Sequence, residues 1–403
     1  MNKDRRLVTR VVLRNYKSIP ACDISPAQLT FLVGPNGSGK SNFLDAIRFV
    51  ADSLRYSIDH ALRDRGGVKE VRRRSGGHPN HFGIRLEFNL RESKGHYAFR
   101  IGAEPQGGHH IQREECYVVP RHGGEAQYYC VERGEMVRTS LVHGPATASD
   151  RLFLVSASGL QGFRSVYDAL SNTGFYNLRP EAISDLQPPD PGDLLNRDGS
   201  NIASVLAGLA KRSPTVKKRI EEYLEKIVPG VAGVSRVSAG PRETLEFRQQ
   251  VRGARHPWRF FASSMSDGTL RACGVLLSLF QRAGTNASEP WLVGIEEPEV
   301  ALHPAAAAVL VDSLRDAVEH AQVMVTSHST DLLDDPEIPA EAIIAVLAED
   351  GETRIGPLDE AGRLALRDHL YTAGELLRMN QLDPDPSLSR LDPNQLDLFG
   401  PLP

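Results

Sequence analysis

Residues Gly34 to Ser41 read GPNGSGKS, a full match to GxxxxGK[ST], set between an apolar run LTFLV at 29–33 and an amphipathic stretch at roughly 40–55. No other feature limits the fold so strongly, because a strand, a glycine-rich turn and a helix in that order build a cradle for phosphate groups. Gly37 and Gly39 let the backbone curl until successive N–H groups point inward. The helix N-terminus adds its dipole. Gly34, Pro35, Asn36, Gly37, Ser38, Gly39, Lys40 and Ser41 are therefore the expected nucleotide-binding loop. Lys40 supplies a point charge to the β- and γ-phosphates, and the Ser41 hydroxyl is a ligand for Mg²⁺. Asn42, next in line, is expected to cap or brace the helix.

Around this loop the chain changes character several times. Residues 7–14 read as a strand, and 82–140 as short alternating segments broken by Gly, His and Arg, the pattern of antiparallel hairpins. RLFLVSAS at 151–158 reads as a further strand, and 159–228 as mainly helical. VSRVSA and TLEFRQQV are strands. A helix over 268–282, a buried strand WLVGI at 291–295, a helix from Pro304 to about Ala321 and a strand VMVTS at 323–327 then restore strand–helix alternation. IIAVLAED with TRIGPL suggests an edge hairpin. The expected class is α/β. The expected parts are a first lobe with an antiparallel β layer (1–158), a helical insert (159–262), a second stretch of core (263–381) and a flexible, proline- and aspartate-rich tail (382–403).

Composition excludes several classes. Lysine and arginine total 47 against 51 acids, a net charge of −4, so a wholly basic DNA binder is ruled out while a local basic face is not. No run approaches the roughly 18 apolar residues of a membrane span. The N-terminus has no signal-peptide core. Cys22, Cys116, Cys130 and Cys273 form no CxxC pair, which argues against a zinc module or disulfide framework and fits a reducing cytoplasm. The histidines at 78, 81, 109 and 110 show no metal-ligand spacing.

A second constellation lies far downstream: SMSDGTLR (264–271), WLVGIEEPE (291–299) and VTSHS (325–329). The strand WLVGI delivers Glu296 and Glu297 at its C-terminal end, where open α/β sheets place ligand chemistry. Glu296 is placed for Mg²⁺. Glu297 is placed to orient and deprotonate an attacking water. His328, after the next strand, is a candidate partner of the γ-phosphate. Taken singly, a Glu pair at a strand end is often a solvated turn, and a lone His is often structural.

Together and in this order, these residues resemble the ABC-type ATPase head in the branch shared by RecF, SMC and OLD-like proteins. GPNGSGKS is similar to Walker A, MSDGT to the signature, LVGIEE to Walker B, PEVALHP to the D-loop region, and His328 to the switch histidine. The resemblance implies a P-loop ABC-type head with an antiparallel β subdomain and a helical lobe inserted between Walker A and the signature. It implies ATP hydrolysis with Mg²⁺, and a homodimer formed on ATP in which Ser266, Asp267, Gly268 and Thr269 meet the partner's nucleotide. Gln161, by position, would be the Q-loop ligand of the metal. Glu296 stands where the family usually has Asp. The interval between Lys40 and Ser266 carries no heptads, and the stretch after His328 carries no acidic Toprim set, so a compact head without an in-chain nuclease is expected. That points to DNA maintenance or defence with a separately encoded nuclease effector. A slow-turnover ATP-gated scaffold is the alternative, and a transporter's motor subunit a more distant one.

Two further features concern partners. Arg63, Arg65, Lys69, Arg72, Arg73 and Arg74 form a basic stretch, with Arg72, Arg73 and Arg74 as candidate nucleic-acid contacts; a solvated charged loop is the other reading. Gln395, Leu396, Asp397, Leu398 and Phe399 spell QLDLF, which resembles the bacterial sliding-clamp-binding pentapeptide. Leu398 and Phe399 would fill an apolar pocket of a clamp, or else dock on this protein's own body or its dimer mate.

Overall fold

The computed structural model describes residues 5–74, 79–104, 108–283 and 291–402. Sixteen strands are placed among these residues: β1 (Val8–Tyr16), β2 (Ile19–Ile24), β3 (Leu29–Val33), β4 (His81–Asn89), β5 (Ser93–Ala103), β6 (His109–Pro120), β7 (Gln127–Glu132), β8 (Glu135–Thr139), β9 (Gly174–Tyr176), β10 (Val231–Ala239), β11 (Arg242–Gln249), β12 (Trp258–Phe261), β13 (Leu292–Glu296), β14 (Gln322–Ser327), β15 (Ile343–Glu349) and β16 (Glu352–Pro357).

The central sheet has the order β16-β15-β3-β14-β13-β9, with every pairing parallel except the edge hairpin β15–β16. Parallel sheets need cover on both faces, and these strands alternate between two cores. Phe31, Val33, Val293, Ile295, Val323 and Val325 face one core, which the helices Ile202–Arg212, Pro214–Ile227 and Asp267–Phe280 close. Leu32, Leu292, Met324 and Ile344 face the other, under helix Lys40–Arg55 and the inner face of the antiparallel sheet. That second sheet runs β2-β1-β4-β5-β6-β7-β8. A small sheet β10-β11-β12 flanks the helical lobe.

The strand expected at 151–158 is instead a short helix, Phe153–Ala157. Its first amides donate to a buried carboxylate, Phe153 N to Glu114 Oε2 at 2.5 Å and Leu154 N to Glu114 Oε1 at 2.9 Å. A distant acid thus takes the role of N-cap and turns an apolar run into a helix. Strand β9, three residues inside the expected helical insert, joins the edge of the central sheet beside β13. The helix expected from Pro304 is a 3₁₀ turn, Pro304–Ala306, followed by an α-helix that ends at Ala317.

The tail is not a free segment. Pro384 bridges to Leu358, helix Pro386–Ser389 packs on β16, and Leu398 is buried. Of the two readings of QLDLF, the structure takes docking on the protein's own body: Leu398 lies against Gly83 of β4, and Phe399 stacks over Arg113. Gln395 and Asp397 are exposed, and Leu396 is half-buried.

Candidate functional site

The loop Gly34–Ser41 leaves the C-terminal end of β3 and enters helix Lys40–Arg55. Gly37 (φ 78°) and Gly39 (φ 104°) take the left-handed backbone the cradle requires. Gly39 is pinned as well, because a Cβ there would lie 2.0 Å from Thr353 Oγ1 on β16. Thr353 Oγ1 donates to Ser38 O (2.8 Å) and bonds Ser18 Oγ (2.7 Å), which accepts from Asn42 Nδ2 (2.7 Å). Asn42 is therefore a brace, as expected from its position, but against the β1–β2 turn. Lys40 folds over its own loop, Nζ donating to Gly34 O (2.8 Å) and Pro35 O (2.9 Å). Burial lowers its pKa, and Glu297 and Glu299 act in the opposite direction. The Ser41 hydroxyl end of the loop is exposed.

The downstream acids arrive on adjacent strands. β14 lies between β3 and β13, so the ends of all three converge. Glu297, just past β13, sits at φ 45°, a region costly for a residue with a side chain. Its N–H is held by Thr326 O (3.0 Å) and its carbonyl by Arg271 Nη2 (2.9 Å). Its carboxylate lies 3.2 Å from His328 Nδ1. Glu296 ends the strand in an ion pair with Arg197 (2.7 Å). Glu299 is half-buried against Ser327 Oγ (2.6 Å), and its other, buried oxygen, Oε2, has no partner among the described residues. Burial raises its pKa.

The signature segment opens helix Asp267–Phe280, with Ser266 as N-cap accepting from Thr269 N (3.3 Å). Ser266 and Asp267 are exposed, while a Cβ on Gly268 would lie 2.3 Å from Ala301 O. One turn along, Arg271 is buried and also donates to Leu178 O at 2.7 Å. This side chain ties the signature helix to the backbone that carries both glutamates.

The donor set fits Mg²⁺ and a triphosphate. A hydroxyl at the helix start, a carboxylate at the end of β13, a loop lysine and one orphaned buried carboxylate oxygen are hard oxygen and point-charge chemistry. Among the described residues, no group of three or more His, Cys, Asp or Glu is arranged to hold a metal by protein ligands alone; Mg²⁺ in such sites uses one or two side chains with the substrate's phosphates.

Gln161 falls outside this group. It starts helix Gln161–Ser171, and its neighbour Gly162 abuts Gln127 of β7. Gln127 pairs with Val118, at the end of the antiparallel sheet away from Tyr16 and the loop. The position after an expected strand suggested a metal ligand, and that strand is a helix. The basic stretch also reads differently. Arg73 pairs with Glu352, Arg74 with Glu70, and Arg72 donates to Pro79 O (2.7 Å). These three line a cleft of about 1120 Å³ with Arg14, Lys17 and His81. Thr353, Ser18, Arg197 and Arg271 belong to no expected set of site residues. Arg271 alone had a local signal, two residues past the SDGT of the signature.

The succession of loop, signature, paired acids and histidine decides the family. Residues 29–121 and 161–334 match the family described as "AAA domain, putative AbiEii toxin, Type IV TA system". The chain belongs to this AAA-domain family. Over 41 residues the AAA-domain chain is 46% identical to the DNA replication and repair protein RecF of Vibrio campbellii, a stretch making up 10% of this chain and 12% of that protein. The RecF of Vibrio parahaemolyticus matches to the same extent over 11% of its length. Only about a ninth of these relatives is therefore spanned. The AAA-domain chain superposes on an Smc head bound to the C-winged helix domain of ScpA with a TM-score of 0.57 at 16% identity, over 88% of this chain and 99% of that one. An Smc head with a coiled coil and joint from Pyrococcus yayanosii gives 0.52 at 12% identity, over 90% and 99%. At such identities the likeness is one of fold. With the motifs, the fold is that of the ABC-type ATPase head of the RecF/SMC branch. No described helix of the AAA-domain chain is long and apolar enough to cross a membrane.

Proposed function

We propose that two copies of this chain close on ATP and hydrolyse it with Mg²⁺. Ser41 and Glu296 would hold the metal, which would neutralise charge on the phosphates; Glu296 would then exchange its Arg197 partner. Lys40 moves from its own loop carbonyls to the β- and γ-phosphates. Glu297 orients and deprotonates the attacking water, and His328 fixes that carboxylate and faces the γ-phosphate. Ser266 to Thr269 reach the partner's nucleotide with a helix N-terminus. The observation that carries this reading is the division of labour within one chain: the base, its histidine and the lysine converge, while the signature tip is exposed and braced on Ala301. Lys40→Ala tests it. Nucleotide binding should be lost, and retained binding contradicts the assignment.

The setting we propose is DNA repair, DNA maintenance or defence against foreign DNA, in the cytoplasm and together with a separately encoded effector such as a nuclease. The RecF stretch, the Smc-head fold and the toxin–antitoxin wording of the family description support it. QLDLF adds a sliding clamp as a candidate partner, which the tail can reach only by leaving the sheet it rests on. Immobilised clamp should capture the chain, and loss of capture on deleting 395–399 with an unchanged ATPase rate is the expected result.

A further inference from the structure

The outer face of the antiparallel sheet carries charges that its own cover does not satisfy. The register places Arg14, Gly83, Arg100, Arg113 and Glu132 directly opposite one another across β1, β4, β5, β6 and β7. Arg100 and Arg113 are cross-strand neighbours of like charge, an arrangement that destabilises a sheet. Arg113 has Glu115 and Glu132 as partners. Arg100 has no carboxylate in ion-pair contact among the described residues, and the Nε atoms of Arg14, Arg100 and Arg113 are buried without a hydrogen-bond partner. Farther along the same face, His96, Tyr117 and Tyr128 form a second row, ring centroids 5.8 and 6.5 Å apart. At strand spacing the two rows lie roughly 13 Å from each other.

The C-terminal segment crosses this face from β1 to β8. Asn394 accepts from Arg14 (3.2 Å), Leu398 sits over Gly83, Gly400 N donates to Glu115 (2.9 Å), and Arg138 donates to Leu402 O (3.0 Å). Phe399 lies over Arg113 (4.4 Å) and Arg100 (5.8 Å). The tail's own acids do not reach the arginines: Asp397 accepts from Phe399 N and Asp392 from Asn394 N. A ring and a side-chain amide cover the arginine row where carboxylates or phosphates would suit it better.

We propose that this sheet face binds a single-stranded nucleic acid, and that residues 392–402 are a strap that holds the site shut. Phosphates take the arginine row, where donors are waiting, and bases stack on the guanidinium planes Phe399 now occupies and on the His96–Tyr117–Tyr128 row. The inference rests on the nucleic-acid part of the proposed function, and it moves the seat of binding from the ion-paired Arg73 and Arg74 to the sheet. The strap and the strand exclude each other.

Two variants release the strap independently. Gly83→Val fills the space of Leu398, since even a Cβ there lies 2.2 Å from Leu398 Cδ2. Leu398→Ala/Phe399→Ala removes the anchors and leaves the sheet untouched. Fluorescence anisotropy of a labelled single strand of about 20 nucleotides, with a matching duplex as control, reads affinity between about 50 and 200 mM salt. Both released proteins should bind the single strand at least about tenfold more tightly than wild type, with affinity falling as salt rises. Adding Arg100→Gln/Arg113→Gln should erase the gain, a peptide of residues 392–402 should compete, and ATP hydrolysis should be unchanged. Wild type that binds as tightly as cooperatively folded released variants overturns the strap and spares the nucleic-acid reading. No binding by any of these proteins overturns both. A gain for duplex alone overturns the single-strand assignment.

Discussion

Nδ1 of His328 stands 3.2 Å from the carboxylate of Glu297, and the two residues come from the ends of neighbouring parallel strands. The pair fixes the direction of an acid that is both held in a left-handed backbone and left with an accessible carboxylate. Glu297→Gln keeps the shape and removes the base. Single-turnover hydrolysis should fall by about 10²–10⁴-fold with ATP affinity within a few-fold of wild type. His328→Ala should cost less, since the base remains. Equal losses would mean the histidine does chemistry of its own.

Gly39 and Thr353 lock the phosphate loop to a strand more than three hundred residues away in sequence. Gly39→Ala meets both a 2.0 Å contact and φ 104°, so nucleotide binding should disappear. Thr353→Val is milder. It removes two hydrogen bonds worth about 1 kcal/mol each, so ATP affinity in calorimetry should drop by up to roughly thirtyfold.

This lock joins segments that no local pattern in the sequence connects. The strand at 29–33 and the helix at 40–55 were legible to the residue because the loop's glycines and the change of hydrophobic period are local signals. The paired acids and His328 were legible for the same reason, each at the end of a short apolar run. Thr353, Ser18 and Arg197 act across long sequence separations and have no pattern around them. The helix at 153–157 has no local signal, because its cap is Glu114, supplied by another strand. The prolines and aspartates of the tail predict flexibility, yet Gly83 leaves a space that Leu398 fills.

Arg271 joins the signature helix to the acids. Nη2 holds the carbonyls of Glu296 and Glu297, at 3.2 and 2.9 Å, and Nη1 holds Leu178 O. Arg271→Lys cannot make this fork. Hydrolysis should fall by about 10–100-fold with little change in KM, and thermal stability should drop by about 2 kcal/mol. A change in KM alone would place the arginine in nucleotide binding instead.

Asp45, on the helix after the loop, receives Arg65 and Lys17. Burial disfavours its charge, but Arg65 and then Lys17 outweigh that and hold the carboxyl down to about 2. A depressed folded pKa contributes stability that is complete above the unfolded value of about 3.9 and is lost as pH falls toward 2. Urea midpoints should therefore decline between about pH 4 and pH 2, by about 2 kcal/mol from this group. Asp45→Ala leaves the buried Arg65 with Asp52 as its remaining acid and should cost about 3 kcal/mol at neutral pH. An unchanged acid limb in Asp45→Ala would show that other carboxylates set it.

The account as a whole depends on nucleotide being shared between two copies, and sedimentation of Glu297→Gln with and without ATP and Mg²⁺ reads that directly. The account predicts the 44.2 kDa chain alone and twice that mass with ATP, reverting on Ser266→Arg at the signature tip. Saturating ATP binding with the mass unchanged would contradict it.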